Sequence, residues 1–83
     1  MKYTQYFLYT RKRPDRVRIK EEWIARAINN PLRIQVQQDG RIRKWVEIPE
    51  EGKCLRVILL PDGETVHNAF FDRTITMEGK RED

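Results

Sequence analysis

The chain has 83 residues, room for one domain around one core, with 39% apolar residues to fill it and 36% charged residues to coat it. Its 17 lysines and arginines outnumber 13 acidic residues, and the net charge of +4 favours an anionic partner, either nucleic acid or an acidic protein. A single cysteine, Cys54, excludes an internal disulfide and a thiolate-pair metal site, and an apolar run no longer than Val57–Leu60 excludes a bilayer-spanning helix.

Met1–Thr10 carries two signals. Tyr3, Tyr6, Phe7, Leu8 and Tyr9 have high strand propensity, yet Tyr3–Phe7 and Tyr6–Thr10 also suit helical spacing, and Thr4 can cap a short helix. No apolar signal core follows Lys2, so no export signal is expected and the cytoplasm is the expected compartment. A basic stretch comes next: Arg11, Lys12, Arg13, Arg16, Arg18 and Lys20 against Asp15 alone, with a turn at Pro14.

Ile19–Asn29 reads as an amphipathic helix, with Ile19, Trp23, Ile24, Ala27 and Ile28 on one side. Glu21 and Glu22 suit the positive end of its dipole. Asn29-Asn30-Pro31 ends it, because Asn tolerates left-handed geometry and proline disfavours helix before it.

Beyond Pro31 the pattern changes to alternation. A loop of Gln38-Asp39-Gly40 sets Val36 opposite Ile42 and Leu32 opposite Val46, so that one face stays apolar. Pro49-Glu50-Glu51-Gly52 joins this hairpin to a second, turned at Pro61-Asp62-Gly63. The matching register sets Leu55 opposite Ala69, Arg56 opposite Asn68, Val57 opposite His67 and Ile58 opposite Val66. Cys54–Leu60 is apolar on both faces and is expected at the centre of the sheet. The fold class is therefore α+β: one or two N-terminal helices packed on a four-stranded antiparallel meander, a single domain over 1–73, with 74–83 a solvated tail.

Phosphate-binding glycine loops, metal-ligand spacings and a Ser/His/Asp arrangement are all missing, so no metal and no cofactor is expected. Two basic groups remain. Arg11, Lys12, Arg13, Arg16 and Arg18 form one; Arg33, Arg41 and Arg43, beside Trp45, form the other. Guanidinium groups bind phosphates and an indole offers a stacking surface, so both suit RNA, although either could be a solvated face. His67 is the natural proton carrier near neutral pH, and alternation puts Arg73 on its side of the strand. Arg56, in an apolar strand, needs either a buried ion pair or an anion site.

The run Arg13-Pro14-Asp15-Arg16, then Ile19-Lys20-Glu21-Glu22-Trp23-Ile24 and Ala27-Ile28-Asn29-Asn30-Pro31, resembles the opening of small BrnT-like and RelE-like bacterial proteins. Leu55-Arg56-Val57 and Asp62-Gly63-Glu64-Thr65-Val66 look like their late strands, so the likeness spans residues 3–73. It implies helix over Thr4–Arg11, and a metal-independent endoribonuclease toxin neutralised by a small antitoxin protein, acting on RNA that can be ribosome-associated. His67, Arg73 and Arg56 then become the catalytic candidates, and Arg11, Lys12, Arg13, Arg16, Arg18, Arg41, Arg43 and Trp45 the RNA contacts. His67 and Arg56 project from opposite faces in the expected register, so His67 is grouped with Arg73. The sequence departs from these toxins in lacking a dense Arg/Lys cluster on its last strand. That leaves open a non-catalytic basic module for nucleic acid or for an acidic protein.

Overall fold

A computed structural model describes residues 1–75, and the expected tail falls almost wholly outside them. The first ten residues use both of their tendencies. Lys2–Tyr3 is a two-residue strand, β1, and Gln5–Thr10 is a helix, α1, whose N-cap Thr4 accepts the Phe7 N–H at 3.0 Å. Glu21–Asn29 forms α2, burying Trp23, Ile24 and Ala27. It ends at Asn30 with φ −136°, so Pro31 stops the helix and no left-handed asparagine is needed.

Four longer strands follow: β2 (Arg33–Val36), β3 (Ile42–Ile48), β4 (Lys53–Leu59) and β5 (Thr65–Asp72). The sheet order is β1-β5-β4-β3-β2, with β4 at the centre as its two apolar faces require. β2 through β5 form the expected antiparallel meander. The fifth strand makes the sheet mixed, since β1 runs parallel to β5 through Lys2↔Thr65 and Tyr3↔Val66. Both helices cover one face, α1 against β5 and α2 against β3 and β4. The core between the layers holds Phe7, Trp23, Ile24, Val46, Ile48, Leu55, Val57, Leu59 and Val66.

The first hairpin keeps its expected register, Val36↔Ile42 and Arg33↔Trp45, closed by Gln37 N–H to Arg41 O at 2.8 Å and by Gly40 at φ +91°. Its apolar side is not hidden, however. α2 stops at β3, and Leu32, Ile34 and Val36 are 55%, 56% and 66% exposed.

The second hairpin departs from the expected register. The Asp62 carboxylate takes the N–H groups of Glu64 and Thr65 and the Thr65 hydroxyl, drawing Glu64 into the loop, so that Leu60 N–H pairs with Thr65 O. A β-bulge at His67 then adds a second residue between Leu59↔Val66 and Ile58↔Asn68. Val57 consequently faces Ala69, Leu55 faces Phe71, and Arg56 faces Phe70 instead of Asn68. Beyond the bulge the two single-residue steps restore the parity of the faces, so Ala69 and Phe71 stay on the core side; before it the single step turns Val66, expected opposite Ile58, into the core opposite Leu59.

A candidate nucleic-acid interface

The face turned away from the helices is organised around one cross-strand row, Arg33↔Trp45↔Arg56↔Phe70, contributed by four successive strands. Directly opposed side chains touch, and here cation and ring alternate. The Arg33 guanidinium lies 5.2 Å from the Trp45 ring; that of Arg56 lies 5.3 Å from Trp45 and 5.0 Å from Phe70. Arg16, carried by the turn after α1, completes the series 5.3 Å from Phe70.

Asp72 locks the middle of the row. Its Oδ2 accepts from Trp45 Nε1 at 2.8 Å and from Arg56 Nε and Nη2 at 2.9 and 2.7 Å, while Oδ1 accepts from Thr74. Burial works against its charge, but the Thr74, Trp45 and Arg56 donors outweigh it and hold the carboxyl well below the usual range. Arg56 is thus the structural member of a buried ion pair. Trp45, 3% exposed and covered by guanidinium groups, has no free face for a base. The ion pair is one of the two readings expected of Arg56, whereas Trp45 lacks the open stacking surface expected of it.

The Arg11–Arg18 stretch divides by task. Arg11 lies over Tyr3 and Phe7 and 3.7 Å from Glu21, a bracing role between α1 and α2. The turn at Pro14, closed by Arg16 and Val17 N–H to Arg13 O, folds Arg16 back onto β5, where Nη1 donates to Asn68 Oδ1 at 2.8 Å. Lys12 and Arg13 are exposed on the turn and form no ion pair among the described residues. Arg18 reaches Glu51 at 2.9 Å. Arg41 and Arg43 keep to the open face by alternation, Arg41 3.8 Å from Asp39 and Arg43 bonded to Gln35 at 3.3 Å.

Where this turn meets the end of β5 lies a cleft of about 380 Å³, lined by Asp15, Arg16, Arg18, Lys53, Phe70, Phe71 and Arg73. Among the described residues, four cations and two half-buried rings face a single acid. The cleft exists because β1 pairs only with Thr65 and Val66, leaving the rest of the β5 edge, among the described residues, uncovered by a strand. Lys53 sits 5.2 Å over the Phe71 ring, and Arg73 is exposed with no ion pair among the described residues. Lys53, Phe70 and Phe71 were not among the expected site residues; the observed register pairs Cys54 with Asp72 and so brings their chain neighbours Lys53 and Arg73 to the same end of the sheet.

His67 stands apart from this cleft. The bulge presents its ring to the N-terminal segment, where Nδ1 lies 3.1 Å from Thr4 Oγ1 and the ring stacks on Tyr6 at 4.9 Å between centroids. Burial, and then the Arg41 charge, push its pKa down, so the neutral imidazole is favoured at pH 7. Arg73 is six residues further along, roughly 20 Å at the rise of a strand. His67 and Arg73 cannot meet on one phosphate, and the cation nearest in effect to His67 is Arg41.

Among the described residues no cluster of His, Cys, Asp and Glu could hold a metal ion, and no helix is long and apolar enough to cross a membrane. Protein-family models, curated proteins and solved structures return no match to this chain, so its geometry alone carries the functional argument.

Proposed function

We propose that this protein binds single-stranded RNA in the cytoplasm through the cleft at the end of β5. The observation that supports this is the meeting of Arg16, Arg18, Lys53 and Arg73 with Phe70 and Phe71 around one concave site holding one acid. Lysine and arginine neutralise phosphates, and Phe71, unlike Phe70 free of a covering guanidinium among the described residues, offers an aromatic face that accepts any base without regard to sequence. Lys53 covers Phe71 in the free protein; it swings from ring to phosphate as a base takes its place. Binding should weaken with salt, because each neutralised phosphate releases counterions. Engagement of all four cations gives a slope of log affinity against log salt of about −3, at ~0.7 per contact on a single strand. Fluorescence anisotropy with a labelled RNA oligonucleotide, and with DNA of the same sequence, measures this slope. Lys53→Ala and Arg73→Ala should each reduce it by roughly 0.7. Salt-independent binding, or a double variant that binds as tightly as the parent, removes the cleft from the reading.

A second reading adds metal-independent cleavage of the toxin type, with a small antitoxin protein as partner. It rests on His67, a neutral imidazole oriented by the Thr4 hydroxyl and set near Arg41, as a general base acting beside a phosphate-stabilising cation requires. RNA incubated with purified protein in chelator should be cut by the parent and left whole by His67→Ala, with binding unchanged. Equal cutting by both excludes His67 from the chemistry.

A further inference from the structure

We infer that β2 is the contact strand of a symmetric dimer, in which the β2 edges of two copies pair antiparallel and continue the sheet from one protomer into the other. β2 ends the sheet order and, among the described residues, has no strand on its outer side. Gln37 gives its N–H to Arg41 O, Leu32 gives its N–H to Trp45 O at 2.7 Å, and the alternation of an antiparallel ladder directs that of Gln35 toward β3 as well. The backbone groups of Ile34 and Val36 therefore point outward, free to pair. Natural edge strands usually carry a lysine, a proline or an inward charge against such pairing, whereas Arg33–Val36 carries none of these on its apolar side.

That side is the second observation. Leu32, Ile34 and Val36 share it, each more than half exposed, in a molecule whose other helix-side strand residues are largely covered by α1 and α2. Burial of large aliphatic side chains is the main favourable term in association, and a row of three at an open edge lacks only a mate.

A second copy fits this edge because β2 is complementary to itself. With a two-fold axis at Ile34, that residue faces its own copy, Leu32 faces the partner's Val36, and Arg33 faces the partner's Gln35. All six aliphatic side chains then fall on one face. The only charge in the strand meets an amide instead of its own kind, so the like-charge cost of joining two basic chains is avoided within the ladder. The axis stands perpendicular to the sheet, so the helices of both protomers lie on one side and the arginine rows of both lie on the other.

Light scattering coupled to size exclusion, over micromolar to millimolar loading, should return twice the chain mass. Ile34→Lys and Val36→Pro should return the monomer. Both positions are exposed, and Val36 gives no N–H to β3, so neither change disturbs the protomer, which circular dichroism verifies. Register is read separately by cysteine cross-linking. Ile34→Cys places two thiols about 5.5 Å apart between Cα atoms, within disulfide reach, whereas Val36→Cys alone places its thiol opposite the partner's Leu32. The native Cys54 is 1% exposed and does not compete. Oxidation should therefore link Ile34→Cys and leave Val36→Cys unlinked. A parent that stays monomeric at every concentration, or variants that remain dimeric, overturns the proposal.

Discussion

Asp72 decides more at the scale of single residues than any candidate singled out for chemistry. It neutralises Arg56, satisfies the Trp45 N–H and anchors Thr74, so one carboxylate organises three strands and the turn beyond them. Removing one partner of a buried pair leaves the other charge uncompensated. Asp72→Ala should therefore cost about 3–5 kcal/mol in urea unfolding, while Arg73→Ala, exposed one residue later, should change stability by less than about 0.5 kcal/mol. Similar losses from the two would show that Arg56 finds another counter-charge. The sequence reading reached the right alternatives for Arg56, since an arginine in an apolar strand announces a buried partner or an anion. It could not choose Asp72, because that pairing depends on a register displaced by two residues. His67 was legible as the one group able to carry a proton near pH 7. Its partners Thr4 and Tyr6 are distant in sequence, and no local pattern connects them.

Among the elements, those written in periodicity were legible and those written in pairings were not. α2 follows from Trp23, Ile24 and Ala27, and β3 from Ile42, Val46 and Ile48 against Arg43, Trp45 and Glu47. β1 is two residues long, too short for any pattern, and exists because Thr4 N–H reaches Val66 O as the chain turns into α1. The two hairpins contain the same Asp-Gly pair yet differ in loop length. Asp39 takes only the Arg41 N–H, whereas Asp62 takes two N–H groups and a hydroxyl. Gly40 does a further job between elements. At φ +91° it packs against the Pro61 ring of the other hairpin, and an added Cβ would come 3.2 Å from Pro61 Cγ. Gly40→Ala should thus lower stability by about 1–2 kcal/mol from backbone strain alone. Thermal unfolding of that variant beside Gln38→Ala measures the difference, and equal midpoints would count against a left-handed requirement.

For the molecule as a whole, the carboxylates that shift and the histidine do so in one direction, downward, while burial raises Tyr3 and Cys54. Asp72 and Asp62 are lowered, Asp62 to about 2 through Thr65 and the backbone N–H groups of its turn, and His67 is lowered by burial and Arg41. A depressed folded pKa means that the unfolded chain takes up protons first, so stability rises with pH across each window. The contribution of His67 is complete above about pH 6.5 and declines as pH falls through its folded value. The contributions of the carboxylates are complete above about pH 4 and decline steadily below it. Urea midpoints measured at intervals from neutral to acid should fall in a shallow step and then a steep one. Asp72→Asn should flatten the steep part, and a midpoint that held constant into acid would contradict the ion pair.

The bulge at His67 makes the last strand one residue longer than its partner needs. Excising that residue lets the ladder close without slack, and every side chain downstream keeps the neighbour and the face it has now. A shortened chain lacking only His67 should therefore fold, retain Phe70 beside Arg56 and hold an oligonucleotide, while giving up whatever the imidazole does. Few proteins allow a suspected general base to be deleted, backbone and all, without moving the rest of the structure.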